Sequence, residues 1–375
     1  MINSEVEKEA RKIFQQGMSF FRAGDYEKAL PYFECVLQLI PSDANSWGCL
    51  GSCQNSLGRY SEALDSYDRG LEFNPHDFAI WGDRGSVLDT LGEYDKAIIS
   101  YDRALSLKED VPEIWNNRGV SLMKLGRDRD ALATFEKALE FDPEDSTSIT
   151  NKANALFKLG RYHSSLSCYS EALKLNPGNH EIWFNRAILL EDMGSYKASL
   201  ASYDKSIEIK PDYASAWLNR ANILGKVNRE EDALASIEKS IEFDPNNTHG
   251  WNNRGLCLRR FGRLEEAIAS YDRAIECDPK NYETWDNRGY ALVKLRRYRE
   301  AMTSFDRALE VNSKHINATY NKGYCYLAQG KVKLALEQFA LAFDRDPKLR
   351  EFAKTDPDLD PLRKNKRFQN LLKGN

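Results

Sequence analysis

The chain repeats itself every 34 residues. WNNRG at residues 115–119 returns unchanged at 251–255, and WFNRA, WLNRA and WDNRG occupy the same step at 183–187, 217–221 and 285–289. A fixed period of about 20 to 50 residues indicates a solenoid, because one repeat cannot bury its apolar face alone and must stack on its neighbours. This period constrains the fold more than any other feature of the sequence.

With residue 10 as position 1, the frame holds ten repeats without an insertion, and they start at residues 10, 44, 78, 112, 146, 180, 214, 248, 282 and 316. Position 4 carries every tryptophan, position 8 is Gly or Ala, position 15 is mainly Gly, position 24 mainly Tyr or Phe, and position 32 mainly Pro. Glycine and proline end helices, so each repeat is predicted to contain two helices, the first ending before position 15 and the second before position 32. Small residues at position 8 are expected where these helices approach closely.

The residues at these positions resemble the tetratricopeptide repeat family over residues 10–349. The resemblance implies an all-α fold, a right-handed α-α superhelix whose first helices line a concave surface. We therefore predict a ten-repeat array over residues 1–349 and a C-terminal capping helix in residues 350–375. The apolar residues expected to form the cap are Phe352, Leu359, Leu362, Phe368, Leu371 and Leu372. The alternative is that this last segment docks as a peptide in the groove of the array itself.

Position 6 is predicted to point away from the core, because it lies about 200° around the first helix from position 4. It is asparagine in seven successive repeats: Asn117, Asn151, Asn185, Asn219, Asn253, Asn287 and Asn321. An asparagine amide can bond both the N–H and the C=O of a peptide backbone, whatever the peptide sequence. Within the family, this series looks like the asparagine ladder that grips extended peptides in the repeat region of O-linked N-acetylglucosamine transferase. We predict that these residues, the position-6 asparagines, bind a peptide in the concave groove of repeats 4–10.

A second interpretation of the same asparagines needs no ligand. Asparagine at this position belongs to the general consensus of the family, so the series also fits descent by duplication and a solvated surface. Asparagines alone are too weak to hold a partner, and side-chain pockets are expected to add binding. The candidates for those pockets are Phe184, Leu218, Tyr290, Tyr320 and Tyr324.

Position 13 supplies a second set of candidate peptide-binding residues: Lys124, Lys158, Lys226, Arg260 and Lys294. Such cations would favour an acidic segment. The position also lies in the last turn of the first helix, where a cation stabilises the helix dipole without any ligand, and this interpretation is favoured. Position 7 is mainly basic and position 25 mainly acidic, which predicts ion pairs between helices worth about 0 to 1 kcal/mol each.

Enzymatic chemistry is not predicted. The five histidines fall at scattered frame positions, so the sequence indicates neither a catalytic triad nor a metal site, and no cofactor is expected. The carboxylate clamp by which some related repeats bind chaperones is not matched, since Thr150 and Leu218 stand where that clamp needs lysine. We predict a non-enzymatic protein-binding scaffold or assembly factor. The alternatives are a self-associating or spacer module whose groove is unoccupied, and an enzyme or regulatory subunit with a nucleotide site.

Composition limits the partners and the compartment. The net charge of −4 provides no basic excess, so neither nucleic acid nor an anionic membrane surface is expected as a partner. No run approaches 18 apolar residues and the first residues lack an apolar stretch, so we expect no membrane insertion and a cytoplasmic location. The partner is expected to be a protein or peptide, and homo-oligomerisation is left open. Cys53, Cys257 and Cys325 share one apolar frame position, which predicts core residues rather than disulfides.

Overall fold

A computed structural model describes residues 4–374, and every regular element within them is a helix. The chain divides into two compact units, the first ending at Met193 and the second beginning at Gly194. Within each unit, every helix packs against the next one along the chain. The predicted all-α array of helix pairs is confirmed.

The first unit contains five complete helix pairs and one further first helix. The first helices of its repeats are α1 (Ser4–Arg22), α3 (Ala44–Ser56), α5 (Phe78–Thr90), α7 (Pro112–Lys124), α9 (Ser146–Lys158) and α11 (His180–Asp192). The second helices are α2 (Tyr26–Leu39), α4 (Tyr60–Phe73), α6 (Tyr94–Leu107), α8 (Asp128–Phe141) and α10 (Tyr162–Leu175). Successive first helices from α3 to α11 also contact one another, so they lie side by side.

The second unit begins with α12 (Tyr196–Ile209). Its first helices are α13 (Ala214–Lys226), α15 (Thr248–Arg260), α17 (Tyr282–Lys294) and α19 (Ile316–Ala328), and the second helices are α14 (Glu230–Phe243), α16 (Leu264–Cys277), α18 (Tyr298–Val311) and α20 (Val332–Arg345). A short α21 (Leu349–Thr355), a 3₁₀ helix (Pro357–Leu362) and α22 (Lys366–Lys373) follow. No helix within residues 4–374 is both long and apolar enough to cross a membrane.

The ends of the helices follow from the frame. Position 15 has a positive φ in all ten repeats, including the two where it is not glycine, Asn228 at 59° and Arg296 at 61°. This left-handed residue ends each first helix, as predicted. The next first helix is started in six repeats by an Asp or Asn at position 34, whose side chain accepts a backbone N–H: Asp43, Asp77, Asp145, Asn179, Asn247 and Asn281.

In the repeats with glycine at position 8, the first helix meets the ring at position 24 of the second helix at this glycine. Gly255 faces Tyr271 so closely that an added Cβ would lie well inside van der Waals contact of the ring. The Tyr271 side chain is fully buried, and the same glycine-to-ring contact occurs in repeats 2, 3, 4, 9 and 10. The expectation of a close helix approach at position 8 is confirmed.

Every tryptophan makes the same hydrogen bond. Its indole Nε1–H donates to the backbone carbonyl six residues earlier, in the turn that ends the preceding repeat, and the pairs are Trp47–Pro41, Trp81–Pro75, Trp115–Glu109, Trp183–Pro177, Trp217–Pro211, Trp251–Pro245 and Trp285–Pro279. The bond persists where Glu109 replaces proline. Position 4 therefore fixes the turn between repeats as well as filling space.

The ion pairs predicted between positions 7 and 25 are present. Seven pairs join a basic residue to the acid of the preceding repeat: Asp68–Arg84, Asp102–Arg118, Glu136–Lys152, Asp204–Arg220, Glu238–Arg254, Asp272–Arg288 and Asp306–Lys322. In several repeats the guanidinium also donates to a hydroxyl of its own repeat, as Arg288 does to Ser304 at 2.8 Å. The acids remain about half exposed, so each pair orients two helices more than it stabilises them.

Gly255→Ala should lower the midpoint of thermal unfolding, because the added methyl group overpacks the Tyr271 ring at a cost of about 1 to 3 kcal/mol. Gly225→Ala is the matched control, since Gly225 lies in α13 with open space around its Cα. There alanine should stabilise by up to about 1 kcal/mol through its higher helix propensity. Circular dichroism melts of both variants test the contact, and equal shifts would contradict it.

Asp272→Asn should change the free energy of unfolding by no more than about 1 kcal/mol, because the Asp272 carboxylate that pairs with Arg288 is half exposed. Urea unfolding of the variant and of the wild-type chain measures the difference. A loss above about 3 kcal/mol, the scale of a broken buried pair, would show that the pair is a stabilising element.

Candidate functional site

The position-6 asparagines lie on the first helices, and each is half-buried. In the first unit, Asn117, Asn151 and Asn185 belong to α7, α9 and α11. In the second unit, one asparagine lies on each of α13, α15, α17 and α19: Asn219, Asn253, Asn287 and Asn321. Because the first helices within each unit lie side by side, they present these amides from one set of neighbouring helices.

Four of these amides also tie one repeat to the preceding one. Each donates its Nδ2–H to a side-chain oxygen there: Asn151 to Asn116 (2.9 Å), Asn253 to Asn222 (3.2 Å), Asn287 to Asn252 (3.1 Å) and Asn321 to Asp286 (2.9 Å). The other three make no hydrogen bond through the side chain to the described part of the chain. Each tied amide keeps its carbonyl oxygen and one N–H for another partner.

The acceptors at position 5 were not identified from the sequence. Asp286 is 7% exposed and accepts from Asn321 and, at 3.1 Å, meets Nε2 of His315. Asn252 is similarly buried and also accepts from Thr284. The available signal was a polar residue directly after the position-4 tryptophan, because a polar side chain that becomes buried needs a hydrogen-bond partner.

A cavity of about 700 Å³ lies in the second unit, between the first helices and the C-terminal segment. Its wall includes Asn287 and Asn321 together with aromatic residues of α17, α19 and α21: Tyr290, Tyr320, Tyr324 and Phe352. Thus two position-6 asparagines and three of the five side chains predicted to form pockets, Tyr290, Tyr320 and Tyr324, share one concave space. Ring centroids of Tyr290 and Tyr324 are 5.8 Å apart.

The C-terminal segment packs against the last helix pair through apolar residues. Leu359, Leu362 and Phe368 are buried in one cluster with Phe339 and Phe343 of α20. Phe352 differs from the expectation of a cap residue, because its side chain is 56% exposed and lines the cavity.

The same segment also reaches the cavity wall with two carboxylates. Asp358 accepts from the Tyr290 hydroxyl at 2.9 Å and from Nζ of Lys294 at 2.6 Å, and Asp356 accepts from the Tyr320 hydroxyl at 2.6 Å. Burial alone would lower the pKa of Lys294, but hydrogen bonds to Asp358 and the neighbouring tyrosines raise it overall. The segment therefore combines features of both alternatives. It covers apolar side chains as a cap would, and it contacts the first helices as a docked peptide would.

Most of the position-13 cations have partners within the chain. Besides the Lys294–Asp358 pair, Arg260 pairs with Glu230 at 2.7 Å, and Nζ of Lys158 lies 3.7 Å from Asp128. Lys226 lies over the Tyr196 ring, whereas the exposed Lys124 shows no ion pair within the described residues. The cation that sequence reasoning missed is Arg259 at position 12, which lines the cavity.

The cysteines behave as core residues. Cys53, Cys257 and Cys325 are buried, as predicted, and burial raises the pKa of Cys53 to about 12 and that of Cys49 to about 11. These thiols stay protonated at neutral pH and are poor nucleophiles. Between residues 4 and 374, no three His, Cys, Asp or Glu side chains are grouped as metal ligands would be.

The two kinds of asparagine should differ in their effect on stability. Asn321→Ala removes a donor from the buried Asp286 carboxylate and should cost about 1 to 3 kcal/mol. Asn219→Ala breaks no hydrogen bond to the described chain and should change stability by less than about 0.5 kcal/mol. Thermal and urea unfolding of the two single variants make the comparison. Equal losses of stability would show that the Asn321 hydrogen bond does not stabilise the fold.

Family models described as tetratricopeptide repeat match residues 44–77, 112–145, 150–214, 202–235, 250–281, 270–303 and 287–349, and one described as TPR repeat matches residues 85–126. A model of the protein prenyltransferase alpha subunit repeat matches residues 230–261, which span α14 and α15. A search of the curated proteins found no significant match.

Solved structures with tetratricopeptide repeats are similar in fold. A tetratricopeptide repeat protein from Parabacteroides merdae is 21% identical with a TM-score of 0.55, over 67% of this chain and 99% of that chain. YrrB, described as a TPR protein with an unusual peptide-binding site, is 25% identical (TM-score 0.43; 50% and 98% covered), and yeast Tom70 is 16% identical (TM-score 0.44; 95% and 99% covered). The first similarity supports the fold alone, and the other two are too distant to support a function.

Proposed function

Because the chain belongs to the tetratricopeptide repeat family, whose arrays typically serve as non-catalytic scaffolds for protein–protein interaction, we propose that it binds an extended segment of a partner protein. The peptide lies along the first helices of repeats 4–10 and is held through its backbone by the position-6 asparagines. The observation that carries this proposal is the cavity of the second unit, whose wall combines Asn287 and Asn321 with three tyrosines.

The spacing of the helices suits an extended chain. Neighbouring packed helices lie about 8 to 10 Å apart, and an extended peptide rises about 3.4 Å per residue. One asparagine therefore meets about every third peptide residue. Both tied and untied amides retain an acceptor and a donor, so each can bond a peptide C=O or N–H.

The energies explain why the cavity matters. Hydrogen bonds contribute about 0.5 to 1.5 kcal/mol each, so the four asparagines of the second unit supply roughly 2 to 6 kcal/mol. Association costs about 4 to 15 kcal/mol. The difference has to come from side chains of the peptide, and Tyr290, Tyr324 and Phe352 offer aromatic surface in the same cavity. The asparagines thus set the path of the peptide, whereas the cavity selects it.

The proposal is tested with peptides selected from a displayed library of random 12-residue sequences on the full chain. Changing Asn219, Asn253 and Asn287 together to Ala should weaken the selected peptides at least tenfold, because three backbone contacts are lost. Asn246→Ala is the control, since Asn246 is an exposed turn residue. Fluorescence anisotropy gives the dissociation constants, and circular dichroism checks the helicity of each variant.

Two results would overturn the proposal. Peptides that bind the triple variant as tightly as the wild-type chain would place binding on another surface. A library that yields no binder would also overturn it, and a mass that rises with concentration in sedimentation equilibrium would then favour the alternative, a self-associating or spacer module.

A further inference from the structure

Arg259 lines the cavity of the second unit and has no acidic side chain as an ion-pair partner among the described residues. Its guanidinium carbon lies 4.9 Å from the centroid of the Tyr290 ring. The neighbouring cations are neutralised, since Arg260 pairs with Glu230 and Lys294 with Asp358. Arg259 has no carboxylate partner anywhere in the part of the chain that the structure describes. A guanidinium that stacks on an aromatic ring contacts the ring through its planar face, so the N–H groups at its edge remain available for an acceptor.

The repeat that contains Arg259 has a buried hydroxyl without a hydrogen bond among the described residues. In repeat 3, the Tyr101 hydroxyl at position 24 donates to Asp89 at position 12, at 2.8 Å. In repeat 8, position 24 is Tyr271 and position 12 is Arg259, which has no acceptor atom. The buried Tyr271 hydroxyl accordingly has no hydrogen-bond partner within the described residues. Arg259 thus makes no hydrogen bond to the Tyr271 hydroxyl of its own repeat.

Three carboxylates line the cavity wall and already accept hydrogen bonds from within the chain, Asp286 from Asn321. Asp358 accepts from Lys294 and Tyr290, and Asp356 accepts from the Tyr320 hydroxyl and from the backbone N–H of Asp358. These carboxylates are also fixed in place, because Leu359 next to Asp358 is fully buried in the last cluster. The C-terminal segment thus forms one wall of the cavity.

We propose that the cavity binds an acidic side chain of the partner's peptide, with the carboxylate held by Arg259 while Asn287 and Asn321 hold the neighbouring backbone. A carboxylate matches the guanidinium in charge and can accept two of its parallel N–H groups. Of the carboxylates in the wall, Asp358 is already paired with Lys294, and Asp286 and Asp356 already accept hydrogen bonds from within the chain. This inference rests on the proposed function and adds the chemical class of residue that the site selects.

The test uses the 12-residue library on the full chain, with the variants Arg259→Gln and Arg259→Glu. Arg299→Gln is the matched control, because Arg299 is an exposed residue of α18 on the second helix of repeat 9. Peptides selected by the wild-type chain should be enriched in Asp or Glu at one position. Arg259→Glu should instead select Lys or Arg at that position, whereas Arg299→Gln should leave the selection unchanged.

A double-mutant cycle then assigns the contact. Replacing the selected acid of the peptide by its amide should weaken binding to the wild-type chain by about tenfold or more. The same replacement should weaken binding to the Arg259→Gln variant by less than about twofold. Equal losses in both proteins, or no acid enrichment, would overturn the acid site. Thermal unfolding should show Arg259→Gln to be as stable as the wild-type chain, so that a weaker affinity reports binding.

The outcomes separate this inference from the proposed function. If the three-asparagine variant weakens the peptides but the cycle shows no coupling to Arg259, the acid site fails and the peptide groove stands. If the coupling persists while the asparagine variant binds normally, the acid site stands and the asparagine path fails. A library that yields no binder overturns both.

Discussion

The contact between a small residue at position 8 and the ring at position 24 is the constraint on which the rest depends. Because Gly255 leaves no room between α15 and Tyr271, the two helices of that repeat have one separation and one register. The same contact recurs in most repeats, so the first helices lie side by side within each unit. Regular placement of the position-6 asparagines is a consequence of this packing and not of any property of asparagine.

Polar contacts along the first helices serve two purposes at once. Asn287 and Asn321 each bond a buried side chain of the preceding repeat, and each still lines the cavity. Position 13 shows the opposite outcome, since Arg260 and Lys294 are neutralised by Glu230 and Asp358. A periodic position thus has no single role, because the residue opposite it changes from repeat to repeat.

The C-terminal segment changes the character of the last repeats. Its leucines cover α20, and its two aspartates accept from Lys294, Tyr290 and Tyr320 on the first helices. The segment therefore closes one side of the groove and turns it into a cavity of defined volume and polarity. Among the described residues that line it, Arg259 is the cation without an acidic partner.

The sequence by itself determined the helix pairs, their ends, the buried Tyr and Cys positions and the seven ion pairs, because each follows from a local preference or from a pairing repeated at a fixed spacing of 16 residues. It did not determine which amides bond Asn252 or Asp286, where Asp358 docks, or that Arg259 is left without an acid. The amide contacts recur at a spacing of 35 residues, but only in the three repeats whose preceding repeat has an amide or carboxylate at position 5, and the Tyr290–Asp358 contact spans 68 residues and is made once. The repeat pattern shows neither which side chains of neighbouring first helices meet nor where the C-terminal segment packs, so only the tertiary structure decided these contacts.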